Sequence, residues 1–170
     1  MTYFDIHTHV IPKHPSQAIV SVNVNDLSIT KDIQFVSIGI HPWYLTEENA
    51  EYQWKTLKES VNEPRIRAIG EAGLDKLKGA PIKLQTSIFQ EEIALAETYH
   101  LPIVIHCVRA FNELIQIKKE YKPKQPWIIH GFRGKPSIAQ ELLKHECWLS
   151  FGSNYQKESV RVTPLNRMFI

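Results

Sequence analysis

Cysteine is scarce in this sequence: Cys107 and Cys147 are the only two, and no Cys-x-x-Cys pair occurs. That argues against a disulfide framework and against a cysteine-built zinc site. No apolar run approaches the roughly 20 residues that a membrane-spanning helix needs. The first residues lack the basic and apolar regions of a signal peptide, so a cytoplasmic location without membrane association is expected. No Gly-rich phosphate loop occurs, which counts against a nucleotide-cofactor fold. Neither sign of charge is in excess: Lys+Arg 20 against Asp+Glu 18 leaves +2, which neither demands nor excludes an anionic partner. There is no linker, low-complexity tract or internal repeat beyond a β/α unit. The 170 residues are read as one domain, 1–170, with enough chain for a real core.

What the chain has is histidine, eight in all, several of them where apolar strands stop. Phe4-Asp5-Ile6-His7-Thr8-His9 reads as a short strand ending in two imidazoles. Alternation places Asp5, His7 and His9 on one face and Phe4, Ile6 and Thr8 on the other. Two imidazoles on one face suit a divalent cation, with Asp5 as a partner behind them. Further strands are predicted at 18–24, 34–42, 67–71, 101–106, 127–130 and 147–152. Residues 72–75 read as a turn. Helices are predicted at about 46–62, capped by Thr46, then at 82–99, 111–121 and 137–145. Ile82, Gln85, Phe89, Ile93 and Ala96 mark the inner face of the second helix, and Leu114, Ile115 and Ile117 that of the third.

Strands alternating with helices imply a parallel sheet, and seven strands with the start of an eighth suggest a (β/α)8 barrel. The barrel is trimmed. It has no room for a helix between its first two strands, and the last β/α unit is expected to be lacking. That would open the barrel between its first and seventh strands, and the exposed edge makes a dimer conceivable.

Active-site groups of such barrels come from the C-terminal ends of strands. His7, His9, His41, Glu71, His106 and His130 all occupy that position. His106 should point the same way as Val104, and His130 the same way as Ile128. If those faces line the interior, five of the six converge at one mouth. A carboxylate bridging two cations, with two imidazoles on each side, would make a two-metal hydrolytic site, with phosphodiester hydrolysis the natural reaction class. His41 before Pro42 reads equally as a strand cap or a substrate contact. The following loops carry Lys76, Lys78, Arg109, Arg133 and Lys135 against one acid, Asp75, a rim that favours an anionic substrate such as a nucleic-acid backbone. Trp43, Tyr44, Phe111 and Phe132 also follow strand ends, placed either to stack on a base or to be buried under a helix.

Asp5-Ile6-His7-Thr8-His9, Gly39-Ile40-His41-Pro42, Ile69-Gly70-Glu71-Ala72-Gly73-Leu74-Asp75, Leu101-Pro102-Ile103-Val104-Ile105-His106 and Ile129-His130-Gly131-Phe132, in this order, resemble the TatD family of metal-dependent deoxyribonucleases. Those are TIM-barrel hydrolases of the amidohydrolase superfamily. The resemblance implies two divalent cations (Mg2+, Mn2+ or Zn2+), one held by His7, His9 and Glu71 and the other by Glu71, His106 and His130. It also implies DNA as substrate, typically cleaved exonucleolytically, with Asp75 at the site's edge. Glu71, His7 and His9 are the expected catalytic residues. His41, Asp75, Arg109, Arg133 and Lys135 are the expected substrate contacts.

The chain departs from the family's pattern at two places. His106-Cys107-Val108-Arg109-Ala110 stands where the family usually shows His-Ser-Arg-Asp-Ala, making Arg109 the candidate phosphate contact. Thr163 to Ile170 resembles the lead-in to a Glu-Thr-Asp motif whose Asp binds metal, and the sequence stops there. Either more chain follows, or the site is incomplete. A metal-dependent amide or ester hydrolase, or a non-catalytic metal- or nucleic-acid-binding remnant, are the other readings.

Overall fold

The computed structural model of the chain describes residues 4–26 and 33–170. Its eight strands are β1 (Asp5–Thr8), β2 (Ala18–Asn23), β3 (Val36–Gly39), β4 (Ile66–Asp75), β5 (Ile103–Val108), β6 (Trp127–Ile129), β7 (Trp148–Ser150) and β8 (Met168–Phe169). All pair in parallel, in chain order from β1 to β8. The helices are α1 (Ala50–Ser60), α2 (Ile82–Tyr99), α3 (Phe111–Tyr121), α4 (Pro136–Lys144) and α5 (Lys157–Val162). Between β1 and β2 there is only a 3-10 turn, Pro15–Gln17, as the short spacing requires.

Strand alternation sorts side chains into two layers. Ile6, Ile19, Ala68, Val104 and Ile128 meet inside the sheet, with Trp148 and Phe169 against them. Because the first and last strands both contribute to that cluster, the sheet curls into a nearly closed barrel. Ile69, Leu74, Ile103, Ile105, Trp127, Ile129 and Leu149 face outward onto Phe89 and Ile93 of α2, Leu114 and Ile117 of α3, and Leu142 of α4. Each fully buried side chain of this size contributes about 1.5–3 kcal/mol. The outer faces of β5 and β6 are therefore apolar, while Val104 and His106, and Ile128 and His130, point inward as the alternation predicts.

Several expectations change. Residues 72–75 form no turn: β4 continues through them to Asp75, held by pairing with β5 as far as Val108. Helix α1 starts at Ala50 with Asn49 as its N-cap, four residues after Thr46. Thr46 Oγ1 accepts a hydrogen bond from Asn49 N, so the threonine caps a turn that precedes the helix. Ile82 is 37% exposed at the first turn of α2, and Ile115 is only half buried. Helix α5 lies where no element is predicted. The start of the eighth strand is present as Met168–Phe169 beside β7. The gap therefore falls between β8 and β1, not between the first and seventh strands: among the described residues no ladder joins those two.

Candidate metal centre

Glu71 sits at the C-terminal mouth of the barrel, 4% exposed. Simple alternation from Ala68 would turn it outward with Ile69. Between Ile69 and Ala72 the β4–β5 register slips, three residues of β4 spanning two of β5. Ile69 and Ala72 both face the helices, and the extra residue lets Glu71 face inward. Gly70 makes this possible. Its φ is +131°, and a Cβ there would lie 2.3 Å from Val104 O. A similar slip in β1 lets Ile6 pack inside while His7 also reaches the centre, which corrects the expectation that they take opposite faces. Asp5 backs no imidazole: its Oδ1 accepts from the His7 backbone N at 3.0 Å.

Five imidazoles surround the Glu71 carboxylate. His130 Nε2 is 2.6 Å, His106 Nδ1 2.8 Å and His41 Nε2 3.3 Å from Oε1. His7 Nε2 is 3.3 Å and His9 Nε2 3.5 Å from Oε2. Burial opposes the Glu71 charge, but hydrogen bonds from His106, His130, His41 and His7 hold its pKa far below the usual carboxylate range. Burial lowers the pKa of His7. The hydrogen bond to Glu71 raises that of His9. For His106, burial works against the proton, yet hydrogen bonds to Glu71 and Asp75 raise its pKa on balance.

The donor set fits divalent cations. His7, His9 and Glu71 place ligand atoms within 4.8 Å of one another, and so do His41, Glu71 and His106. His7 Nε2 and His9 Nε2 stand 3.2 Å apart, a spacing that suits two lone pairs turned on one ion. Four of the five expected ligands thus fall in these two groups, which share Glu71, with His130 against its Oε1.

Asp75 lies behind His106 and is only 3% exposed. Its Oδ2 accepts from His106 Nε2 at 3.0 Å and from Trp43 Nε1 at 2.6 Å. Its Oδ1 accepts from Leu77 N and Lys78 N. Arg109 and Arg133 are exposed on the wall of a cavity of about 1060 Å³ that opens over the cluster. Lys135 is exposed at the N-cap position of α4, next to Gly134 of that wall. Lys76 pairs with Glu113. Lys78 sits 3.8 Å over the Trp43 ring. Of the four aromatics, Phe132 is buried against Phe111 and Phe151, while Tyr44 is 59% exposed.

Two supporting residues escape a reading by residue type. Buried Gln85 brackets the Asp75 backbone, accepting from its N at 2.7 Å and donating to its O at 3.0 Å. Buried Glu92 accepts from Ile40 N at 2.7 Å, one residue before His41. The available signal is a polar residue on the apolar face of α2, at the same helical phase as Phe89 and Ile93.

A parallel barrel with histidines and a buried carboxylate at its C-terminal mouth is the frame of metal-dependent hydrolases. The sequence matches the family described as TatD related DNase over residues 7–170. The chain belongs to that family. It is 33% identical over 151 residues to the metal-dependent hydrolase YabD of Bacillus subtilis, covering 82% of this chain and 58% of that protein. It is 32% identical over 105 residues to the 3'-5' ssDNA/RNA exonuclease TatD of Erwinia tasmaniensis, covering 61% and 40%. The fold is that of YJJV, a TatD homolog from Escherichia coli, with a TM-score of 0.78 and 20% identity over 98% of this chain and 77% of that one. The chain spans just over half the length of the first curated relatives it matches.

Proposed function

We propose that the protein is a metal-dependent phosphodiesterase that cleaves DNA from an end. The observation that carries this reading is the two-sided Glu71 carboxylate, Oε2 facing His7 and His9 and Oε1 facing His106, His130 and His41. His7, His9 and Glu71 would hold one divalent cation, and Glu71, His106 and His130 a second. Cations held there supply Lewis acidity to a phosphoryl oxygen and lower the pKa of water. The chain's own residues do the rest. Glu71 stays charged and keeps both ligand sets at one point. Asp75 holds the outer nitrogen of His106. Arg109 and Arg133 offer guanidinium groups to backbone phosphates along the cavity wall. A cavity of about 1060 Å³ is large enough for the end of a single strand. Relatives named as a deoxyribonuclease and as 3'-5' exonucleases support this class of substrate.

The test is cleavage of end-labelled single-stranded DNA with Mg2+, Mn2+ or Zn2+, before and after chelation, beside a panel of acyl substrates. Stepwise, chelator-sensitive shortening is expected, and Glu71→Gln should abolish it. DNA bound but never cut would favour the remnant reading, and turnover of the acyl panel alone the deacylase.

A further inference from the structure

Trp43 follows β3 by four residues and touches two of the histidines in different ways. Its backbone N donates to His41 Nδ1 at 3.1 Å. Its indole Nε1 donates to Asp75 Oδ2 at 2.6 Å, and that same oxygen lies 3.0 Å from His106 Nε2. A backbone amide and an indole can only donate. His41 Nδ1 must therefore offer its lone pair, which leaves the proton of the neutral ring on Nε2. Asp75 takes four donors, from Trp43, Leu77, Lys78 and His106, so it is an acceptor throughout. His106 then keeps a proton on Nε2 and has only Nδ1 free for the Glu71 side.

We propose that Trp43 is a positioning residue that sets the proton positions of both histidines, so that His106 presents Nδ1 as a ligand atom and His41 presents an Nε2–H donor. This deepens the cation-centre reading and rests on it. With a cation held on the Oε1 side of Glu71, His106 and His130 would turn lone pairs to it, and His41 would be the imidazole there that still gives a proton. It binds Glu71 Oε1 at 3.3 Å, or a phosphate oxygen in its place.

The surroundings hold Trp43 in this post. Lys78 covers its ring, and the backbone of Lys78 binds the same carboxylate as the indole. Gly79 lies so close to Pro42 that a Cβ would sit 2.0 Å from its carbonyl oxygen, at a φ of +94°. The loop after β4 is thus pressed onto the loop after β3 at the residue that joins them.

The test separates the two contacts, because Trp43→Phe removes the indole N–H and keeps the backbone N–H. Long-range 1H–15N spectra of the 15N-histidine-labelled protein report which nitrogen carries each proton. The wild type should show His41 protonated on Nε2 and a hydrogen-bonded Nε2 proton on His106. Trp43→Phe should leave the His41 pattern unchanged and weaken the His106 signal. Its dissociation constant for Zn2+, read by competition with a chromogenic chelator, should rise, by at most the about 10–100-fold that losing the partner behind a ligand itself costs. A wild-type His41 proton on Nδ1, or a variant with unchanged His106 resonance and unchanged Zn2+ affinity, overturns the proposal. No Zn2+ binding by the wild type would sink the cation-centre reading instead, and the spectra would still judge the proton placement. Should Trp43→Phe not fold, Asp75→Asn breaks the same link from its other end and should give the same loss.

Discussion

At Glu71 burial and hydrogen bonding oppose each other, and four imidazole partners decide the outcome in favour of the charge. Glu71→Gln keeps the shape and removes that charge, so the imidazoles lose the group that gathers them. We expect activity to fall by at least about 10²-fold, the scale for one preorganised electrostatic group, and cation binding to weaken in calorimetry. The histidines give a second prediction. His9 and His106 have raised pKa values, so folding favours their protonated forms in the cation-free protein. That stabilisation is full below the unfolded value of about 6.5 and is lost as pH rises through the folded values. His7 shifts the other way, but its opposing effect ends within about a unit above pH 6.5, where the unfolded imidazole also loses its proton. The chelator-treated protein should therefore melt at lower temperature as pH rises from about 6.5 to 8. Zn2+ or Mn2+ competes with those protons, so the stabilisation it gives should grow over the same range. A flat profile in both conditions would rule this out.

Helix α2 works as a brace for the mouth of the barrel. Gln85 grips Asp75 at the end of β4, and Glu92 grips Ile40 just before His41. Glu92 is fully buried, which pushes its pKa well up despite the Ile40 hydrogen bond, and its Oε2 is a buried atom without a hydrogen-bond partner among the described residues. Keeping it uncharged costs stability once the unfolded chain would ionise. That cost begins above the unfolded value near pH 4.5 and grows until the folded value is passed. Glu92→Gln should thus match the wild type near pH 4 and exceed it at pH 8, by about 1.4 kcal/mol for each unit of upward shift. Thermal melts of both proteins across that range measure it, and a pH-independent difference would show that Glu92 does not titrate. These elements also show how far the sequence is legible. Strands β1 to β7 and helices α1 to α4 follow from alternation and helical spacing, because their inner faces are apolar. The slips at Ile69–Ala72 and in β1 do not, since an extra residue leaves the composition of a strand unchanged. Helix α5 has six residues and buries only Ser159, too short and too polar to leave a periodic mark. The ligand-type residues were readable at strand ends. The roles of Trp43, Gln85 and Glu92 depend on loops brought together from distant positions, which no local pattern encodes.

Across the whole molecule the charge nearly cancels, at +2, so any pull on an anionic strand must be local to the mouth. There the basic residues divide by what they touch. Lys76 is neutralised by Glu113, and Lys78 lies on the Trp43 ring. Lys135 stands exposed at the N-cap position of α4, one residue past the lining residue Gly134. Arg109 and Arg133 stand exposed on the wall, and among the described residues no ion pair holds either. Arg109 also has a φ of +53°, a conformation that side chains other than glycine adopt at some cost and that recurs at functional sites. If these two arginines bind phosphates remote from the reacting bond, they hold ground state and transition state equally, and their loss should raise KM while leaving kcat within a few-fold. Each phosphate contact to a single strand changes the slope of log K against log salt by about 0.7. The variant carrying both Arg109→Gln and Arg133→Gln should therefore bind a chelator-protected DNA strand with a salt slope shallower by about 1.4, read from titrations at increasing NaCl. A kcat that collapses with unchanged KM would move the arginines to the reacting phosphate. An unchanged slope would take them out of the binding surface altogether.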